Sequence, residues 1–130
     1  GGQALDSGSM AMELEWQVDA HDFVYAVALT DDMQYVAFGG TAKVAVVVSA
    51  SSGMKIFEVQ SSGVLWAVNL LVTPKGAKLA IGGEIPIIKV IDIATESDEL
   101  QLPAPDTTND IAFTEASLCF GDGPATKMYG

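Results

Sequence analysis

An all-β protein built from repeated four-stranded units is predicted by three features of this sequence. Short apolar, β-branched stretches recur between breaks rich in glycine, proline, aspartate and serine, and helical periodicity is nearly absent. The stretch "YAVALTDDMQYVAFGG" is echoed by "WAVNLLVTPKGAKLAIGG", and the two glycine pairs, beginning at Gly39 and Gly82, lie 43 residues apart. The run "VAVVV" (44–48) does not alternate, so a strand covered on both faces is expected there.

Twelve strands follow in order. "ELEWQVDA" (13–20), "FVYAVALT" (23–30), "QYVAFGG" (34–40), "KVAVVVSA" (43–50) and "MKIFEVQ" (54–60) come first. "LWAVNLLV" (65–72), "AKLAIGG" (77–83), "IIKVIDIA" (87–94) and "ELQLP" (99–103) form the next group. "NDIAFTE" (109–115), "SLCFGDG" (117–123) and "ATKMYG" (125–130) complete the series. The breaks between them ("TDDM", "TA", "SSG", "TPKG", "EIP", "TESD", "PAPDTT") carry the residues that turn geometry requires. In the third copy of the repeat, "NDIAFTEASLCFGDG", Gly121 and Asp122 stand where the glycine pair would fall.

A period near 40 with four strands per unit is the mark of a β-propeller blade, too small to bury its faces alone and stacked on its neighbours. With strands labelled a to d from the axis outward, the chain begins on a d strand, runs through two complete units, and ends on a c strand. Three blades are too few for a ring, which takes ~4–8. Two ways of closing it stay open: a homodimer making a six-blade ring, or a longer propeller of which this chain is a segment.

The 130 residues suit one domain, taken as 13–130, with 1–12 expected to be a disordered tail or a leftover of cloning. Net charge is −11, from 17 acidic residues and six lysines; there is no arginine. That balance argues against nucleic acid and against an anionic membrane surface, and favours a basic partner or plain solubility. The single cysteine, Cys119, excludes an internal disulfide and any cysteine-based zinc site, and its apolar neighbours in "SLCFG" predict a small buried hydrophobe. No secretory signal and no membrane-length apolar run are visible, so a reducing, cytoplasmic setting is expected.

The chain resembles WD-repeat propellers over about residues 13 to 130. "IKVID" (88–92) keeps the family's third-strand aspartate and has Ile91 for the tryptophan; "TKMYG" (126–130) places Tyr129 there. Ala20–His21 occupies the family's Gly-His position. The aspartate of the turn after the glycine pair is replaced by Thr41 and Ala42 in the first unit; Glu84 and Asp122 are nearest to it in the others. The resemblance implies an N-terminal strand that completes the last blade. It also implies a protein-interaction scaffold rather than an enzyme, binding a protein or peptide on the ring face made by d–a and b–c loops.

On that face the resemblance places His21, Asp22, Thr41, Glu84, Pro86, Asp106 and Asp122. Their carboxylates favour a cationic partner. The alternative is a propeller enzyme, or a small-ligand or metal-binding protein, with its site in the central channel. No catalytic, metal or cofactor residues are assigned. The glycine pairs lack the Gly-Lys-Ser/Thr of a phosphate loop and no helix follows them. His21, the only histidine, has no nucleophile and orienter beside it in the sequence, so it reads as a scaffold residue. The acidic run Glu96–Glu99, with Ser97 as a modification candidate, lacks the glycine and ligand spacing of a calcium loop and reads as a solvated turn. "DTTND" (106–110) reads as a turn on the His21 side of the ring, and Trp16, Phe57 and Trp66 as blade-packing residues.

Overall fold

The computed structural model describes residues 11–130, so the first ten residues of the expected tail lie outside the description. Eleven strands make three antiparallel sheets. The first holds β1 (Val24–Leu29), β2 (Tyr35–Gly40), β3 (Val44–Ser49) and β4 (Lys55–Gln60) in sequence order. The second holds β5 (Leu65–Thr73), β6 (Gly76–Gly83), β7 (Ile87–Asp92) and β8 (Ser97–Pro103), also in order. The third has β9 (Ile111–Phe113), β10 (Leu118–Asp122) and β11 (Ala125–Tyr129), with β10 in the middle. These are two complete propeller blades and a third without its outermost strand.

Register explains how the sheets stack. In the first blade Ala28, Ala37, Val47 and Phe57 pair in a row, and this row packs on the second blade. The second blade meets it with Val68, Leu70, Leu79, Ile81 and Ile91. On its other face the row Asn69, Ala80, Val90, Leu100 looks toward the third blade, which answers with Ile111, Phe113, Leu118 and Phe120. The Asn69 side-chain amide donates to the Ile111 carbonyl at 2.8 Å, tying the two innermost strands together. Small residues on one face and large ones on the other let the sheets interdigitate at native density.

The glycine pairs serve the same stacking. A Cβ at Gly39 would press on Leu65 and Val68 of the next blade, at 3.1 to 3.3 Å. At Gly40 it would stand 2.0 Å from the Phe23 carbonyl, and at Gly83, where φ is 155°, 2.3 Å from the Val64 carbonyl. The second glycine of each pair thus lets the b–c turn reach the loop that enters strand a.

Three expectations change. Residues 13–20 are not a strand: they run unpaired beside the first blade, because a strand exists only with a ladder partner and none of the described strands offers its edge there. The run "VAVVV" is sealed on one face and only partly covered on the other, where Val48 is buried but its neighbours are not. Ala45 and Val47 enter the core between blades, whereas Val44 and Val46 remain half-buried along a groove that also includes Phe23, Phe38 and Val18. Cys119 is half-buried on the outward face of the third blade rather than enclosed.

Candidate functional site

One end of the blades collects the loops that enter each strand a and the turns between strands b and c. The same backbone bond joins them in every blade. The Thr41 amide donates to the Phe23 carbonyl at 3.1 Å, the Glu84 amide to the Val64 carbonyl at 2.8 Å, and the Gly123 amide to the Thr107 carbonyl at 3.1 Å. Six loops from distant parts of the chain are thereby brought together in pairs.

Each pair presents different chemistry. In the first, the Phe23 amide donates to the Asp22 carboxylate at 2.8 Å and to the Thr41 hydroxyl at 3.1 Å. The Thr41 hydroxyl, then the Phe23 amide, hold the Asp22 carboxyl below its ordinary value, so this exposed group stays anionic into mild acid. His21 is exposed, has a φ of 64°, and its amide donates to the Asp19 carboxylate at 2.7 Å. The second pair exposes Glu84 and Pro86, and buries Ile85 beneath them.

The third pair carries the most internal bonding. Asp122 is buried, and its carboxylate accepts from the Asp106 amide at 2.8 Å and from the Lys127 ammonium at 2.5 Å. Lys127, foremost, with the Asp106 amide, holds the Asp122 carboxyl below its usual value; the same contact pushes the Lys127 ammonium up. Asp122 therefore fixes the loop that carries exposed Asp106. Thr108, in that loop, is fully buried and its hydroxyl has no partner.

Sequence reasoning placed Trp66 in the blade packing, and it does join two blades, through a stack with Tyr25 that stays partly open. Both a strands are bulged at the same position, Tyr25 in β1 and Trp66 in β5. The bulges re-aim both rings, which stack with centroids 4.3 Å apart and planes within 8°. Tyr25 remains 45% exposed and Trp66 half-buried, so the pair is an open aromatic surface next to the loop ends. The signal was present as aromatics at equivalent repeat positions, but a bulge is not visible without the register.

The acidic run 96–99 also differs from expectation. Only Glu96 remains in the turn, with a φ of 58°; Ser97–Glu99 belong to β8. Glu99 pairs with Lys78, and Asp98 with Lys89 at 3.5 Å. Ser97 hydrogen-bonds Thr95, Oγ to Oγ1, at 2.6 Å. Among the described residues no group of three or more histidine, cysteine, aspartate or glutamate side chains could hold a metal ion, and no helix is long and apolar enough to cross a membrane.

No family model matches the chain, and no curated protein matches it in sequence. Its fold does match solved structures. The crystal structure of RRP9 WD40 repeats superposes with a TM-score of 0.71 at 15% identity, over 88% of this chain and 35% of that one. The structure of U3-55K gives 0.67 at 14% identity, over 82% and 36%. Kuenenia stuttgartiensis hydrazine synthase gives 0.68 at 17% identity, over 81% and 32%. This chain spans about a third of the length of each. The fold is that of a partial WD-like propeller.

Proposed function

We propose that this chain is a protein-interaction scaffold that binds a basic protein or peptide on the ring face described above. The carrying observation is the threefold pairing of loops that exposes a carboxylate in every blade: Asp22, Glu84 and Asp106. A cationic segment lying across the loop ends would meet all three, and the open Tyr25–Trp66 pair offers a face for a lysine or arginine side chain. His21, Thr41 and Pro86 complete the contact surface, and Asp122 acts through the loop it anchors. The WD40 neighbours support a scaffold role in general. With no arginine and a net charge of −11, the composition argues against nucleic acid and against an anionic membrane as the partner. The ring itself is completed by a second copy or by further blades of a longer chain. A second reading, a small-ligand site in the central channel, draws on the same aromatic pair and on the enzyme among the structural neighbours.

The test is anisotropy of a labelled lysine-rich peptide against the 130-residue chain. Affinity should fall steeply between low and physiological salt, and Glu84→Ala and Asp106→Ala should each weaken it about 2–5-fold, as expected for rim charges. Binding indifferent to salt and to both substitutions overturns the reading. Saturable binding of a small molecule that protects Trp66 fluorescence from quenching would favour the channel instead.

A further inference from the structure

The innermost strands carry a row of bulged side chains that changes chemistry in the third blade. Tyr25 sits between Val24 and Ala26, which pair with Gly40 and Gly39. Trp66 sits between Leu65 and Ala67, which pair with Gly83 and Gly82. The third blade repeats this geometry just ahead of β9. The Gly121 amide donates to the Asp110 carbonyl at 3.3 Å, and the Gly123 amide to the Thr107 carbonyl at 3.1 Å, where the second blade joins Glu84 to Val64. Thr108 stands in the place of Leu65. A Cβ at Gly82 would meet the Thr108 methyl at 3.1 Å, as a Cβ at Gly39 would meet Leu65 at 3.1 Å. Asn109, the next residue, therefore holds the position of Tyr25 and Trp66.

The result is an aromatic stack that stops one ring short. Tyr25 covers the face of Trp66 turned to the first blade, with centroids 4.3 Å apart and planes within 8°. The opposite face of Trp66 is turned to the third blade, and the Asn69 bond to the Ile111 carbonyl at 2.8 Å holds that blade's innermost strand close. A third ring at position 109 would cover this face. Asn109 is exposed and too short to extend across an indole, so it brings a hydrogen-bond acceptor to the opening instead of a ring.

The chemistry of the opening selects what fills it. A flat group is needed to lie on the indole. The exposed carboxylates at the loop ends on either side, Glu84 next to Gly83 and Asp106 in the loop that leads to Asn109, favour a cation. A guanidinium meets both demands: it is planar and weakly hydrated, stacks on aromatic faces, and keeps donors free at its edge for the Asn109 oxygen. An ammonium is a compact, strongly hydrated charge and gains less from such a slot.

We infer that the third-blade face of Trp66, with Asn109 at its edge, seats the guanidinium of an arginine side chain supplied by the partner. The inference deepens the binding reading above and rests on it for the partner's basic character. The seat lies within two adjoining blades, so it is the same whatever completes the ring.

The experiment compares two labelled peptides of equal length and charge, one with arginine and one with lysine at every basic position. Anisotropy against the 130-residue chain gives affinity. Acrylamide quenching reads Trp66 in a Trp16→Phe background, where it is the only tryptophan. The arginine peptide should bind about 3–10-fold more tightly, the span expected of a guanidinium on a partly open ring, and should shield Trp66 where the lysine peptide does not. Asn109→Phe continues the stack and should bring the two peptides to equal affinity. Asn109→Asp offers a carboxylate for bidentate contact and should widen the difference, and circular dichroism checks that both variants fold. Equal affinities for the parent chain, both falling with salt, overturn the arginine seat and leave the basic-partner reading standing. If neither peptide binds, yet N-acetylarginine amide at millimolar concentration shields Trp66 and N-acetyllysine amide does not, the seat stands and that reading falls. An arginine preference that survives Asn109→Phe, or no shielding of Trp66 by arginine in either form, overturns the seat.

Discussion

The junction between the first and second blades and that between the second and third use equivalent rows, yet only the first is sealed at its outer rim. In the first, Phe57 of β4 is 6% exposed and wedges against Leu70, Leu79, Ile91 and Ile93. In the second, the register position of Phe57 holds Leu100, which is 43% exposed above an open cleft of about 720 Å³. Phe113, Leu118 and Tyr129 form the far wall of that cleft, and it runs to β11, the strand without an outer neighbour. Inner strands set the spacing of blades; the side chain on the outer strand decides whether water enters between them.

Removing the seal is the strongest way to break this contrast. Phe57→Ala should cost about 3–5 kcal/mol, because a buried aromatic is deleted and its cavity cannot collapse between two sheets. Leu100→Ala, at the equivalent position of the open junction, should cost below about 1 kcal/mol, since much of its surface is already wet. Urea titrations of the two variants measure both numbers. Equal losses would show that the rim does not distinguish the junctions.

The third blade differs from the other two at its loop end, where Lys127 and the Asp106 amide hold Asp122. The first two blades have Thr41 and Glu84 in the neighbouring turn positions and no buried carboxylate. A carboxyl whose folded value is depressed contributes stability above its unfolded value of about 4, and loses it as the pH falls through the lower folded value. Asp22 and Asp92 are shifted the same way, Asp92 chiefly by the Thr95 amide, and add to the same acid limb. The raised Lys127 acts only at the alkaline extreme, where its contribution disappears above its ordinary value of about 10.4. Asp122→Asn should therefore lower the thermal midpoint at neutral pH, flatten its decline below about pH 4, and converge on the parent in stronger acid. A parallel downward shift at every pH would remove the ion pair from the account.

Much of this architecture was legible because it is periodic. The glycine pairs mark the b–c turns and the other turn residues the remaining strand ends, and β1 to β11 fall within a few residues of where the pattern puts them. What was not legible depends on register or on a partner. "ELEWQVDA" has the composition of a strand, but pairing is a property of two edges, and no free edge lies beside it among the described strands. The Tyr25–Trp66 stack arises from two bulges that shift side chains by one position. Asp122 and Lys127 are five apart in sequence and meet only because β10 and β11 form a hairpin with a tight turn between them. The exposed loop carboxylates were found through the repeat; the loop that Asp122 anchors needed the coordinates.

A gain-of-packing change makes the smallest and most discriminating test of the two junctions. If the second is open because Leu100 is too small for the position Phe57 fills, Leu100→Phe should close part of the cleft against Phe113, Leu118 and Tyr129. An added ring that reaches those walls should stabilise by about 0.5–2 kcal/mol, the range of successful cavity filling. It should also protect the β9 and β10 amides from hydrogen exchange, since these strands form the far wall. No gain, with exchange unchanged, would mean that the cleft is held open by the missing strand beside β11, and that closing it takes the strand rather than a larger side chain.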